Sequence, residues 1–196
     1  MKGVSSRDQL QGEGPEVLAS LIEEKAQNLF LTRQFHCAQA VLCTLNEALR
    51  GGLPRELAAR LASGLAEGLG KSGCLCGALS GGVLALGLFM GKSEPSLLNT
   101  SDVTSSAGLL YQKFVERFGS TCCKVISKKV RHDTKAHFEQ CAELTGAAAE
   151  LATRIILEAK PELAKMADLE YLARKDSMLM GTLNRILPGI ADRCSA

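Results

Sequence analysis

The stretch "GKSGCLCGALSGGVLALGLFMG", Gly70–Gly91, sets two cysteines at the mouth of a long apolar, glycine-laced segment with no charge between Ser72 and Gly91. It reads as a membrane span, as a core helix, or as the wall of a redox or metal site. Its uncharged part reaches the ~20 residues a span needs. Six of those residues are glycine, however, and no aromatic anchors flank it. A central helix wrapped by other helices is the better reading, without membrane insertion. Gly77, Gly81 and Ala85 recur at four-residue intervals, so one face is nearly bare backbone and allows close approach by another helix or an inorganic group. Leu79, Val83, Leu86 and Phe89 fill the other sides.

Outward from this segment the chain reads as helices on both sides. Pro15 suits a first helical turn and is followed by apolar residues at Val17, Leu18, Leu21, Ile22, Leu29 and Phe30. "FHCAQAVLCTLNEALRGG" continues the pattern through Cys37, Val41, Leu45 and Ala48, with Gly51 as a stop and Cys43 on another face. "PRELAARLASGLAEGLG" opens with Pro54 and predicts a third helix ending near Gly68 to Gly73. After a loop, Ser101 or Asp102 can cap a helix that stops at Gly119. Thr134 to Lys160 reads as one long amphipathic helix, and one or two shorter helices follow Pro161. No sustained two-residue alternation and no solenoid repeat is present. The expected fold is therefore all-α, a single-domain multi-helix bundle around the central Gly/Ala-rich helix. Residues 1–13 form a flexible arm, 14–160 the four-cysteine helical domain and 161–196 a C-terminal helical extension.

Charge says little about partners, because 23 basic and 21 acidic residues nearly cancel. General nucleic-acid binding is therefore not expected. The polar N-terminus lacks a basic stretch followed by an apolar signal core, which implies a cytoplasmic protein. Eight cysteines are many for such a chain. In a reducing compartment they point to metal or redox chemistry before structural disulfides.

Cys37 lies near a helix start, Cys76 at the glycine-rich entry to the central helix, and Cys123 just after "FGST". A helix N-terminus lowers a nearby thiol's pKa and favours ligation. Cys141, in the first half of the long helix, can complete a four-sulfur set for zinc or an iron–sulfur cluster. With no CxxC pair and long gaps, the spacing alone leaves this open against simple burial. Cys43 and Cys194 read as packing and as a free tail thiol. His137 and Cys141 stand four apart on one helix and could share a metal, whereas His36, if helical, points to a different face from Cys37. Lys124, Lys128, Lys129 and Arg131 follow Cys123 closely and could offset thiolate charge or dock an acidic partner.

"FHCAQAVL", "CGALSGG" with its apolar run ending in "LGL", "FGSTCCKVI" and "CAEL" resemble the redox-active family named for the pattern C-GCAxxG-C-C. The match covers roughly Phe35 to Ala149. The resemblance implies a cofactor or metal site at Cys37, Cys76, Cys123 and Cys141, supported by Gly77, Ala78 and Gly81. Here Leu75, where the family name has glycine, precedes Cys76, and Cys74 and Cys122 are extras that could add ligands. The module is more distantly similar to the non-haem part of split-Soret cytochrome c, which implies an iron–sulfur cluster, with a 2Fe–2S form as a candidate. No CxxCH motif is present, so no haem is expected.

Three functions follow as alternatives. One is electron transfer through a cluster bound by cysteines from separate helices, with a redox partner protein. The second is metal-free thiol–disulfide chemistry, for which Cys74 with Cys76 and Cys122 with Cys123 are the close pairs, both strained as disulfides. The third is a non-redox helical interaction module. No Ser-His-Asp set or nucleotide-binding loop is visible, so no catalytic residue or substrate is assigned. Small-residue helix faces and the distant resemblance suggest a homodimer.

Overall fold

The computed structural model describes residues 14–92 and 101–178. The expected arm 1–13 and the whole tail after Met178, Cys194 included, lie outside the described residues. Among the described residues there are eight α-helices and no strand. In chain order these are α1 (Pro15–Leu31), α2 (Cys37–Ala48), α3 (Arg55–Ala62), α4 (Gly77–Met90), α5 (Ser101–Phe118), α6 (Cys123–Ile126), α7 (Thr134–Ala159) and α8 (Leu169–Ala173). The fold is all-α, as the periodicity predicts.

α2, α4 and α7 pack against one another, α1 lies along α7 and touches α2, and α5 covers a further side of α4. The core they enclose includes Ile22, Val41, Leu45, Leu79, Leu86, Leu110, Phe114 and Ile156. Each such side chain contributes roughly 1.5–3 kcal/mol by leaving water. Asp133 caps α7, its carboxylate accepting from the backbone N–H groups of Lys135 and Ala136 at 2.9 and 3.0 Å.

The bare face of α4 is spent inside the chain. A β-carbon on Gly81 would stand 2.6 Å from the Ala38 carbonyl oxygen and 2.9 Å from its α-carbon, so the α2 backbone itself occupies the groove. This removes that face as an argument for a homodimer. α4 has 14 residues, about 21 Å of helix against a ~30 Å hydrocarbon core. Among the described residues no helix is long and apolar enough to cross a membrane.

Three local expectations change. The third helix ends at Ala62, and after a 3-10 turn at Ser63–Leu65 the chain leaves helical geometry well before Gly68. Glu67, Gly68, Leu69, Gly70 and Lys71 all have positive φ, and Gly70 and Lys71 donate back to the Gly64 and Ala66 carbonyls. Three of these five are not glycine, so the loop holds backbone that L-residues avoid. Val83 does not fill an inner side of α4: it is 37% exposed, beside Leu84. Finally, where the sequence predicts no helix between Gly119 and Thr134, "STCCKVI" contains α6.

The described part of the C-terminal extension packs on the bundle. Asp168 N–H donates to the Ala48 carbonyl at 2.8 Å, and Lys25 donates to the Arg174 carbonyl and to Asp176, each at 2.5 Å. Lys25 also lies 4.7 Å from the centre of the Tyr171 ring.

Candidate functional site

The four motif cysteines come from separate elements. Cys37 is the first residue of α2, Cys76 precedes α4, Cys123 is the first residue of α6, and Cys141 stands two turns into α7. All four line one cavity of about 690 Å³. Cys43 is not among its walls; it is buried in the core.

Local bonds fix the turns that carry these thiols. Ser80 donates its hydroxyl to the Cys76 carbonyl at 3.1 Å, Ser127 to Cys123 at 2.9 Å and Thr145 to Cys141 at 2.7 Å. Each is a hydroxyl four residues after the cysteine, folding back on its own turn. Cys37 is set differently. Its sulfur lies over Gly77, where a β-carbon would approach it to 2.5 Å and the Leu65 carbonyl oxygen to 2.7 Å. Gly77 is thus the floor under one thiol, and Ala78 beside it also lines the cavity.

The electrostatics differ from the sequence expectation. Burial pushes the Cys37 thiol up, although the N–H groups of Glu67, Ala38 and Cys37 itself pull the other way. Burial takes Cys76 to about 12, assisted by Cys37 and Cys123 and opposed by the N–H groups of Leu79 and Ala78. Cys141 is likewise pushed up to about 12 by burial, then by Cys123, Cys37 and Cys76. Cys123 is raised by burial and next by Cys37. The helix N-termini act as expected on Cys37 and Cys76, but loss of water outweighs them. Every pair among the four thiols is coupled, so ionising one resists ionising the others.

The remaining wall has two characters. Leu29, Phe30, Ala40 and Ala142 form a small apolar cluster against which Phe35, Cys37, Phe138 and Cys141 pack. Phe30 and Phe138 stack at 4.9 Å, and the Arg33 guanidinium lies 5.0 Å from the Phe138 ring centre. Around this, Arg33, Lys71, Lys124 and Arg131 supply positive charge, with Glu67 the acidic residue among the described lining residues. His36 and His137 also line the cavity, and the buried Nε2 of His137 has no hydrogen-bond partner among the described residues. Lys128 and Lys129 do not line it. Sequence reading missed Arg33, Glu67, Lys71 and the three phenylalanines; the hydroxyl four places after Cys76, Cys123 and Cys141 is a local signal it could have used.

The thiols share the cavity without converging on a point. Among the described residues no group of three or more His, Cys, Asp or Glu side chains is placed to hold a metal ion. His137 and Cys141, though both in the wall, are therefore not part of such a group. Cys74 and Cys122 are absent from the described lining; Cys74 is exposed and Cys122 half-buried.

An all-α bundle whose separate elements deliver four thiols to one cavity defines a helical four-cysteine module. The chain belongs to the C_GCAxxG_C_C family: residues 35–155 match the family described as "Putative redox-active protein (C_GCAxxG_C_C)". No curated protein and no solved structure matches it.

Proposed function

We propose that the cavity holds an iron–sulfur cluster through Cys37, Cys76, Cys123 and Cys141, and that the protein exchanges electrons with a redox partner protein. The observation that carries this reading is the convergence of four thiols, each electrostatically coupled to the other three, on one cavity. Four sulfur donors suit iron–sulfur chemistry. Their placement around a cavity of about 690 Å³ leaves room for a polynuclear group. The unpartnered His137 Nε2 supports an occupant that offers it a hydrogen bond.

A bound cluster supplies a one-electron couple. The chain's own residues do the rest. Phe30 and Phe138 keep water from one wall, and the backbone N–H groups of Leu79 and Ala78 stabilise Cys76 as thiolate. Arg33, Lys71, Lys124 and Arg131 offset the negative charge of four thiolates and offer an acidic partner a docking rim.

Anaerobic purification and reconstitution, followed by a visible spectrum and assays for iron and acid-labile sulfide, test the proposal. Stoichiometric iron and sulfide with colour that vanishes in Cys76→Ser is expected, and the spectrum reads the 2Fe–2S form. A colourless, iron-free protein after reconstitution would overturn the cluster and leave metal-free thiol chemistry.

A further inference from the structure

Cys74 and Cys122 are separated by 48 positions in the chain, yet their backbones run side by side. Lys124 N–H donates to the Gly73 carbonyl at 3.0 Å and Cys76 N–H to the Thr121 carbonyl at 2.8 Å, so the two cysteines lie between paired backbone bonds. The Cys122 thiol also donates to the Gly73 carbonyl at 3.2 Å, next to Cys74. The Cys122 thiol beside it holds the Cys74 thiol above its ordinary pKa. Ser72 holds the Cys74 side of the clamp, its hydroxyl bonding to the Gly68 and Cys74 carbonyls at 2.6 and 2.9 Å. Each cysteine thus sits in one of two segments held together by backbone bonds, the close approach that a disulfide, with α-carbons about 4.4–6.8 Å apart, requires. Along the chain Cys74 is nearest Cys76, but Cys76 is buried in the cavity wall, while Cys74 is exposed.

We infer that Cys74 and Cys122 form a second redox site, a dithiol–disulfide couple that is separate from the four-cysteine cavity and reacts with low-molecular-weight disulfides. Exposed Cys74 loses its proton to solvent and attacks one sulfur of the small disulfide, breaking its S–S bond and releasing one thiol. Cys122 then gives up its proton and attacks the Cys74 sulfur of the mixed disulfide, releasing the second thiol. The protein dithiol is oxidised by two electrons and the small disulfide is reduced to two thiols. The bond ties the Gly68–Cys76 loop to the Thr121–Lys124 segment. Gly73 and Lys124 both line the cavity, so oxidation pins one side of its wall.

The full chain, freed of iron, is incubated with oxidised glutathione, blocked with an alkylating agent and digested with trypsin. Free thiols are expected to fall by two per chain. Peptides Ser72–Lys92 and Phe118–Lys124 should be joined, with fragmentation assigning the bond to Cys74 and Cys122. The bridge should persist in Cys76→Ser/Cys123→Ser and vanish in Cys74→Ser, while Cys74→Ser retains the iron content of the reconstituted parent. A Cys74–Cys76 bond, a glutathione adduct on Cys74 that never resolves, or unchanged thiols would overturn the inference. Because the bridge is read on iron-free protein, these outcomes are independent of whether the cavity takes a cluster.

Discussion

The sulfur of Cys37 rests on Gly77, so near that a β-carbon there would come within 2.5 Å of it. The first residue of α2 and the first residue of α4 therefore fix each other, and the glycine is needed for the space it leaves.

Gly77→Ala is expected to move Cys37 out of the cavity wall, whereas Gly81→Ala pushes α2 and α4 apart at Ala38. Gly81→Ala should cost about 1–3 kcal/mol of stability, as overpacking does. Gly77→Ala should lose iron at reconstitution out of proportion to its fall in Tm. Equal losses of both in the two variants would show that Gly77 serves the bundle alone.

The iron-free protein should weaken in alkali. Cys76 and Cys141 sit at about 12 in the fold against an ordinary 9.0, so the unfolded chain ionises first. Folded pKa values above unfolded ones mean that this stability is present below pH 9 and is lost as pH rises towards about 12. Thermal unfolding across that window should show the fall, and Cys76→Ala should make it shallower. Ligation of metal releases the thiol protons, so iron uptake should improve with rising pH over the same range.

Lys25 and Asp176 form a buried ion pair at 2.5 Å. Burial alone would raise the Asp176 carboxyl, but hydrogen bonds from Lys25 and Gln34, with the charges of Lys25 and Arg174, outweigh that and hold it below its ordinary 3.8. Burial lowers the Lys25 pKa, and Asp176 restores part of the loss. The depressed carboxylate adds stability above its ordinary pKa that is lost as acid protonates it in the fold. Asp176→Ala strands the lysine and should cost about 3–5 kcal/mol, while replacing both residues by apolar ones should cost little. Chemical denaturation of the two variants at neutral pH separates these outcomes.

The positive rim should tune an electron-transfer centre. Lys71→Gln or Lys124→Gln removes one charge, worth about 0.5 kcal/mol at ~8 Å in a water-like medium. For a one-electron couple this is about 20 mV. The midpoint potential should become more negative by that order, since reduction adds negative charge. An unchanged potential across both variants and Arg131→Gln would confine these residues to solvation of the rim.

The helices are legible because each rests on a local signal, apolar spacing or a proline or glycine stop, whereas the four cavity cysteines, of which only Cys76 has a glycine beside it, are gathered by the family resemblance. Ala38 against Gly81 was legible only as an open face, without its occupant. The Glu67–Lys71 loop was not, since alternating small and large residues imitate a helix while the backbone there turns left-handed. Arg33 and Lys71 were missed because their place on the cavity is set by the approach of α1, α7 and that loop. Proximity along the chain pairs Cys74 with Cys76, whereas Cys122, which comes from beyond α5, lies against the backbone beside it. Thiol acidity was inferred from helix starts alone, and burial, which a sequence does not display, reversed its direction.

The partner of Lys25 also has a consequence for the order of synthesis. Asp176 is 151 residues further along the chain, so α1, α2 and every cavity cysteine emerge from the ribosome before the charge on α1 can be met. Until then Lys25 lacks the carboxylate that meets it in the fold.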